Sequence, residues 1–523
     1  MLAVAVGLVA ALLATLGSWH VSLWSDEVAT ASAAERDLDD LGRLVDRIDA
    51  VHGSYYLLMH GWVEVFGASP VSLRLPSAIA VGLAAAGVLV LGRRLADVPT
   101  ALMAALVFAV LPRTSWAGIE ARPFALSIAA AVWLTVTLHA AVTRHAAAAR
   151  RSWPHFTLYA LLLGVGTVIN LYVALLAGAH LVTLLLRTQT RRAMLPTALA
   201  AAAGVLVASP VVREALGQGG QLGSRRPGPL TVARDVLVNQ WFLGETPTPT
   251  TASGASLAGP DAIWKVAALL LAAACWGLIV WVVAAAVRSR TAEELLVWTV
   301  PWLLVPTAAV LAYSVLSPSV YNSRYLGFCA PAVALLVAAA LRRLAGLHRA
   351  AGLERLPGLR LVPARRLPFV ALVVLAAVAL PVYLSQRTTT AKSGADLALV
   401  AEHLEGRAAP GDGVYFGPRD APRDGVVLRS LRTVSIGYPE PFEGLVDVTL
   451  LAGPDDGATL FGTSATLEGS VDRLEDLDRL WVLRREDQAA QAEADDRLLR
   501  EAGFTVVDVW DGPQTEVLEL VRP

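Results

Sequence analysis

Between residues 2 and 384 the chain returns about eleven times to a long apolar run, and that recurrence constrains its fold more than any other feature. The runs lie near 2–17, 72–92, 99–112, 123–142, 155–169, 171–186, 195–211, 263–287, 295–316, 326–341 and 367–384. A helix needs about 20 apolar residues to cross a hydrocarbon core of roughly 30 Å. Inside that core only helices and closed barrels pair every backbone N–H and C=O without water. Composition agrees: 55% of residues are hydrophobic and 17% charged, with a mean hydropathy of +0.55. A soluble domain carries nearer about 25% charge, so an ordinary cytosolic enzyme is excluded. The formal net charge of −1 offers no footprint for nucleic acid.

The first run has no basic residues before it, and Trp19-His20 after it is a poor cleavage site, so it reads as a retained helix. The stretch 155–186 is too long for one span and breaks at Asn170-Leu171-Tyr172, which implies two short helices meeting at the outer surface. Basic clusters recur at Arg93-Arg94, Arg144 to Arg151, Arg187 to Arg192, Arg288 to Arg290, and Arg342 through Arg366. They occupy every second loop, and the positive-inside rule assigns those loops to the cytoplasm. The alternate loops then face out, beginning with residues 18–71, which carry Asp26, Glu27, Asp37, Asp39, Asp40, Asp46 and Asp49. The expected protein is mainly α, a multi-pass cytoplasmic-membrane protein of about eleven spans with its amino terminus inside.

Residues 386–523 differ in kind from the body at 1–385. They are acidic and hold short strand-like runs at Gly413–Phe416, Thr433–Ile436, Leu480–Leu483, Phe504–Val509 and Val517–Leu520, with a helical stretch from Glu486 to Ala502. This pattern predicts a small extracytoplasmic α/β domain. Gly411-Asp412-Gly413 reads as a turn before a strand rather than a phosphate loop. Cys275 and Cys329 sit in apolar runs, so no disulfide framework is expected. Of the 43 basic residues only Lys265 and Lys392 are lysines.

The outward loops hold the polar residues that could carry chemistry. Trp24-Ser25-Asp26-Glu27 places two acids just beyond the first span. They are either a solvated pair at a helix start or a carboxylate poised as general base or metal ligand. Adjacent helical side chains point apart, so at most one is expected to face a site. From Asp49 to Trp62, histidines and aromatics interleave with apolar residues. That pattern suggests an amphipathic helix in the interface, with Tyr56, Trp62 and Phe66 as anchors. His52, beside a Gly-Ser break, is harder to assign to that role. Arg122 precedes Pro123 at the start of the fourth span, and Arg324 opens the tenth within Tyr321-Asn322-Ser323-Arg324-Tyr325. A guanidinium at a helix amino end calls for an anion nearby. Lipid headgroups could supply it, or guanidinium and dipole together could hold a phosphate.

These features, in this order and topology, resemble the multi-spanning glycosyltransferases of the GT-C superfamily. They are most similar to family-39-like enzymes that use polyprenyl-phosphate sugars, among them protein mannosyltransferases and actinobacterial cell-envelope transferases. The resemblance covers roughly residues 1–385. It rests on Asp26-Glu27, His52 through Tyr56, Gly67 to Ser77 with Leu73-Arg74-Leu75-Pro76-Ser77, Glu120-Ala121-Arg122-Pro123-Phe124, and Arg324-Tyr325. Relatives often have His-Pro-Pro-Leu-Tyr where this chain has His52-Gly53-Ser54-Tyr55-Tyr56, a departure that loosens the turn.

The resemblance implies transfer of a sugar, with mannose ahead of arabinofuranose, from a polyprenyl phosphate to an envelope glycan, lipid or protein acceptor. Inversion without a covalent intermediate is implied. Asp26 would be the base that takes the acceptor hydroxyl proton, with Glu27 beside it as its catalytic partner, and Arg324, Arg122 and Arg74 would hold the donor phosphate. His52, Tyr55, Glu120 and Tyr325 would contact sugar or acceptor. Asp26, Glu27 and His52 are also ligand types for a divalent metal, and metal dependence stays open. In the Gly-, Pro- and Thr-rich stretch 212–262, Arg225, Arg226 and Trp241 are either a lid or part of a solvated loop. A transporter would instead want charges near mid-membrane and an internal repeat, and the charges here lie at span ends. A non-catalytic envelope scaffold is the remaining rival.

Overall fold

A computed structural model describes residues 1–147, 152–218, 227–244, 261–291, 293–316, 320–350, 366–417, 430–456, 459–485 and 489–523, with backbone alone at 345–350 and 489–491. Arg225, Arg226, Glu486 and parts of the basic loops lie outside the described residues.

Helix α1 (Leu2–Thr15) leads through a turn at Ser18–His20 into a loop built from α2 (Ser25–Ala34), α3 (Leu38–Arg47) and α4 (Gly53–Phe66). There follow α5 (Pro70–Leu95), α6 (Val98–Val110), α7 (Pro112–Ala117), α8 (Phe124–Ala146), α9 (Trp153–Ile169), α10 (Leu175–Leu185) and α11 (Met194–Gly217). After the short α12 (Pro229–Arg234) and α13 (Gln240–Phe242) come α14 (Ala262–Ser289), α15 (Glu294–Leu316), α16 (Ala330–Ala350) and α17 (Leu367–Ser385). Among the described residues, eight helices are long and apolar enough to cross a membrane: α1, α5, α8, α11, α14, α15, α16 and α17. The shorter apolar α6, α9 and α10 stand where the other runs lie.

Local chemistry sets the helix starts. Ser69 caps α5 by accepting from Ser72 N, and Asp97 caps α6 by accepting from Thr100 N at 2.7 Å; each helix has a proline in its first turn. The expected break falls at Asn170, whose side chain accepts from Tyr172 N at 3.1 Å and so turns the chain between α9 and α10. Small residues let backbones close up in place of a hydrophobic drive between helices. A Cβ on Gly82 of α5 would stand 2.7 Å from the Gly7 carbonyl oxygen of α1. One on Gly204 of α11 would stand 2.5 Å from the Ala160 oxygen of α9. Helices α5, α8 and α16 are the most enclosed of the long spans, while α1, α11 and α17 present much of their apolar surface outward.

Beyond α17, α18 (Leu397–Leu404) leads to a five-stranded mixed sheet of order β2-β1-β5-β7-β6. Its strands are β1 (Gly413–Phe416), β2 (Val446–Asp447), β5 (Arg479–Arg485), β6 (Thr505–Asp511) and β7 (Thr515–Val521). A two-stranded ribbon joins β3 (Leu450–Ala452) to β4 (Thr463–Ser464). β1 runs parallel to β2 and β5, and β7 is antiparallel to both β5 and β6. The helix before β6, α20, is Ala489–Glu501. One expected strand is corrected: Thr433–Ile436 belongs to a short helix, α19 (Thr433–Gly437). Val434 packs into the core, and the Ser430, Leu431 and Arg432 carbonyls take up the first three N–H groups of the helix.

The α/β unit does not stand apart. One apolar core contains Leu23, Val28, Leu44, Tyr56 and Met59 from the first loop together with Val400, Leu404, Phe416, Phe461 and Trp481 from the carboxy-terminal unit. Hydrogen bonds stitch the seam: Ser22 N to Thr389 O, Leu23 N to Tyr438 Oη at 2.9 Å, and Ser32 Oγ to Leu460 O at 2.6 Å.

Candidate functional site

Three arginines gather at one end of the three most enclosed helices. Arg74 lies in the second turn of α5, Arg122 just before α8, and Arg324 in the 3₁₀ turn Ser323–Cys329 that opens α16. Each sits where a helix amino end is already positive, so the first loop must bring anions to them. It does so through the first turn of α2, where Asp26 and Glu27 face in different directions, as neighbours on a helix must.

Glu27 faces inward and is fully buried. Arg74 grips it with both ends of its fork, Nε to Oε1 at 2.9 Å and Nη2 to Oε2 at 2.7 Å. The rest of Arg74 donates to Ser18 O at 2.7 Å, Val21 O at 2.8 Å and Ser22 O at 3.0 Å, so each of its N–H groups has a protein acceptor. Lys392, from the segment after α17, puts its ammonium 2.6 Å from Glu27 Oε1, 2.6 Å from Glu120 Oε2 and 2.7 Å from Ile119 O. The other Glu120 oxygen accepts from Trp24 Nε1 at 2.9 Å. Burial pushes both carboxyls up. For Glu27 the adjoining Arg74 and Lys392 overcome it and hold the group below the usual carboxylate range; for Glu120 burial prevails over Lys392 and the group lies above that range.

Asp26 belongs to a more open arrangement. Its side chain is 31% exposed and its Oδ2 accepts from Arg324 Nη1, itself 18% exposed, at 2.9 Å. By contrast the side chains of Glu27, Arg74, Glu120 and Lys392 are at most 1% exposed. Burial raises the Asp26 carboxyl, but Arg324 and Arg122 outweigh it and hold the group below its ordinary value. The Arg324 guanidinium lies 4.9 Å from the Trp24 ring centroid and 5.9 Å from that of Phe124, a desolvated aromatic seat that suits guanidinium. Arg122 Nη1 donates to the Asp26 carbonyl at 3.3 Å and to Tyr56 Oη at 3.0 Å, while Tyr56 donates to Asp49 Oδ2 at 2.7 Å. Its Nε has no hydrogen-bond partner among the described residues. His52 stands at the start of α4 with its ring 6.1 Å from that of Tyr56. Burial and Arg122 push its imidazole well down, so it is neutral at pH 7. Tyr325 places its ring between Phe124 at 6.0 Å and Tyr172 at 5.5 Å, and its carbonyl accepts from Asn170 Nδ2.

The residues expected at a site thus divide. Asp26 meets Arg324 and Arg122 directly, His52 lies within electrostatic reach of that pair, and Tyr325 adjoins Arg324 through the Phe124 ring. Glu27, Arg74 and Glu120 are joined in a sealed network, and Tyr55 is 1% exposed within the shared core. Tyr56, read from sequence as an interface anchor, is fully buried and serves the Arg122–Asp49 relay instead. Lys392 was not expected here; its one sequence signal is being one of two lysines. No three His, Cys, Asp or Glu side chains converge among the described residues, and Glu27 is saturated by cations. A separate cleft of about 790 Å³ opens between the far end of α2 and the carboxy-terminal unit, lined by Glu35, Tyr438, Glu402 and Asp455. Glu35 lies about 13 Å along α2 from Asp26, so this cleft is not the arginine-lined place.

Residues 54–213 match the family described as dolichyl-phosphate-mannose-protein mannosyltransferase. No curated protein sequence matches the chain. Among solved structures it is similar to ArnT from Cupriavidus metallidurans bound to undecaprenyl phosphate, with a TM-score of 0.52 at 16% identity over 99% of this chain and 97% of that one. It is also similar to the Archaeoglobus fulgidus oligosaccharyltransferase tethered to an acceptor peptide, with a TM-score of 0.52 at 14% identity over 100% of this chain and 74% of that one. The archaeal AglB in complex with an inhibitory peptide and a dolichol-phosphate gives 0.52 at 12% identity, over 99% and 74%. The fold is the GT-C fold.

Proposed function

We propose that the protein is a glycosyltransferase that takes a sugar, mannose first among the candidates, from a polyprenyl-phosphate donor at the outer face of the cytoplasmic membrane. The acceptor is an envelope glycan, lipid or protein hydroxyl. The observation that carries the reading is the Asp26–Arg324 pair: a carboxylate and a guanidinium 2.9 Å apart, partly open, with Arg122 beside them. The match to a mannosyltransferase family over 54–213 and the likeness to structures that hold polyprenyl phosphates support the donor class.

The acceptor hydroxyl oxygen attacks the anomeric carbon, the bond from that carbon to the phosphate oxygen breaks, and its electron pair stays on the phosphate. Asp26 takes the hydroxyl proton. Arg324 and Arg122, reinforced by the amino ends of α8 and α16, stabilise the charge that builds on the leaving phosphate. A single displacement inverts the anomeric centre. In the described state Arg324 holds Asp26. An incoming phosphate competes for that guanidinium, and the carboxylate it releases rises toward its ordinary range and becomes a better base. Neutral His52 and Tyr325 face the sugar side. Glu27, Arg74 and Glu120 serve as the frame.

The test is sugar transfer by purified protein in lipid, with polyprenyl-phosphate mannose and polyprenyl-phosphate arabinofuranose offered separately to an envelope acceptor. Removing a general base costs typically 10²–10⁴-fold, and Asp26→Asn should lose transfer on that scale while staying folded. Arg324→Ala should lose it as well. Transfer undiminished in Asp26→Asn would sink the assignment of the base. Transfer from the arabinofuranose donor alone would replace mannose.

A further inference from the structure

Lys392 is fully buried, and its ammonium has three acceptors within 2.7 Å: Ile119 O, Glu120 Oε2 and Glu27 Oε1. That tripod suits a compact tetrahedral donor and not a planar guanidinium. In a chain that uses arginine for nearly all its positive charge, lysine stands at this point. Its three partners come from two segments, the start of α2 and the turn before α8, and Lys392 itself comes from a third, so its ammonium ties three separate stretches of chain together.

The contacts continue outward from there. Glu120, fixed on one side by Lys392, holds the Trp24 indole N–H with its other oxygen at 2.9 Å. The face of that indole lies 4.9 Å from the Arg324 guanidinium, and Arg324 reaches Asp26 at 2.9 Å. On its other side Lys392 holds Glu27, the residue next to Asp26 in the first turn of α2. Arg74, Glu27, Lys392 and Glu120 together carry two charges of each sign, so the frame is self-compensating when Glu120 is ionised. A side chain supported by such partners keeps its orientation, and loss of a supporting partner is felt at the supported group.

We propose that Lys392 is a positioning residue for Arg324: through Glu120 and Trp24 it fixes the guanidinium that receives the donor phosphate. The inference rests on the reading of Arg324 as the phosphate-binding arginine. It gives the segment after α17 a part in donor binding, without any contact between Lys392 and the substrate.

The experiment measures binding of undecaprenyl phosphate, which carries no sugar and needs no acceptor, to the full chain in lipid nanodiscs. Four proteins are compared: wild type, Lys392→Met, Arg324→Ala and the double variant. Lys392→Met should weaken binding on the order of tenfold, the scale on which supporting partners of a ligating group act. In the Arg324→Ala background the same substitution should change nothing further, because the group it positions is gone. An equal further loss in both backgrounds, the mark of a general structural role, overturns the inference, as does Lys392→Met binding like wild type. If Arg324→Ala itself binds like wild type, the phosphate reading falls and the inference with it, a result distinct from the other two. Should Lys392→Met fail to fold, Trp24→Phe takes its place in the cycle. It removes the indole N–H link to Glu120 while leaving a smaller aromatic ring beneath Arg324, and the same two outcomes decide.

Discussion

Asp26 and Glu27 are neighbours in sequence and are put to different uses by a rotation of about 100° around one helix, the angle between successive residues at 3.6 per turn. Glu27 turns into the protein and meets Arg74 and Lys392; Asp26 turns to the partly open side and meets Arg324. The difference is measurable through stability. The Glu27 carboxyl titrates lower in the folded protein than in the unfolded chain, so the stability it contributes is present above its ordinary range. That contribution is lost as pH falls through the depressed folded value. Breaking a buried pair by removing one partner costs about 3–5 kcal/mol. Glu27→Gln should therefore lower thermal stability strongly at neutral pH, and the gap from wild type should narrow as pH falls from 4.5 to about 2. Parallel melting curves for the two proteins across that range would contradict the assignment. At this scale the sequence shows the residue types and not their partners. Tyr56 looks like any interfacial tyrosine until Arg122, 66 positions away, is found on its hydroxyl.

Elements were more legible than single residues. Apolar runs of membrane length show themselves in one dimension, and every one of them corresponds to a helix here. The turn at Asn170 was readable for the same reason, since a polar residue with a capping side chain interrupts a long apolar stretch. The strand expected at Thr433–Ile436 was not, because four β-branched and small residues are too short a window to carry a period, and burial of Val434 in the shared core settles the local form. How closely two helices approach is likewise a property of pairs. Gly204 faces the backbone of α9, where an added Cβ would lie 2.5 Å from the Ala160 oxygen and 3.2 Å from Gly164 N. Backbone atoms in a packed helix cannot step aside as a flexible side chain can. Gly204→Ala should cost about 1–3 kcal/mol, the usual range for overpacking, and lower the midpoint of thermal unfolding in detergent. Gly217, at the end of the same helix with nothing near it, serves as the control: Gly217→Ala should leave that midpoint in place.

At the scale of the whole molecule the first loop and the carboxy-terminal unit behave as one body above the helices, because their apolar residues form one core and Lys392 reaches from one into the other. A chain ending at residue 385 would uncover Leu23 and Val28, which pack against Gly437, and leave Glu27 and Glu120 without their shared ammonium. Such a truncation should aggregate or fail to accumulate in the membrane, read by size-exclusion profile after extraction. A monodisperse truncated protein that still binds undecaprenyl phosphate as tightly as the full chain would show that the unit is an appendage. The sequence by itself determined the helical membrane body, the mixed α/β character of the last segment and the short set of polar residues worth testing. Those follow from hydropathy and charge, which each residue carries wherever it sits. Only the tertiary structure decided which arginine is saturated and which is poised, and that Lys392 closes the frame. Those outcomes depend on which groups meet across hundreds of residues: whether a guanidinium has all its N–H groups taken, or a carboxylate has one ammonium to share, is set by three-dimensional neighbours and by the water they exclude.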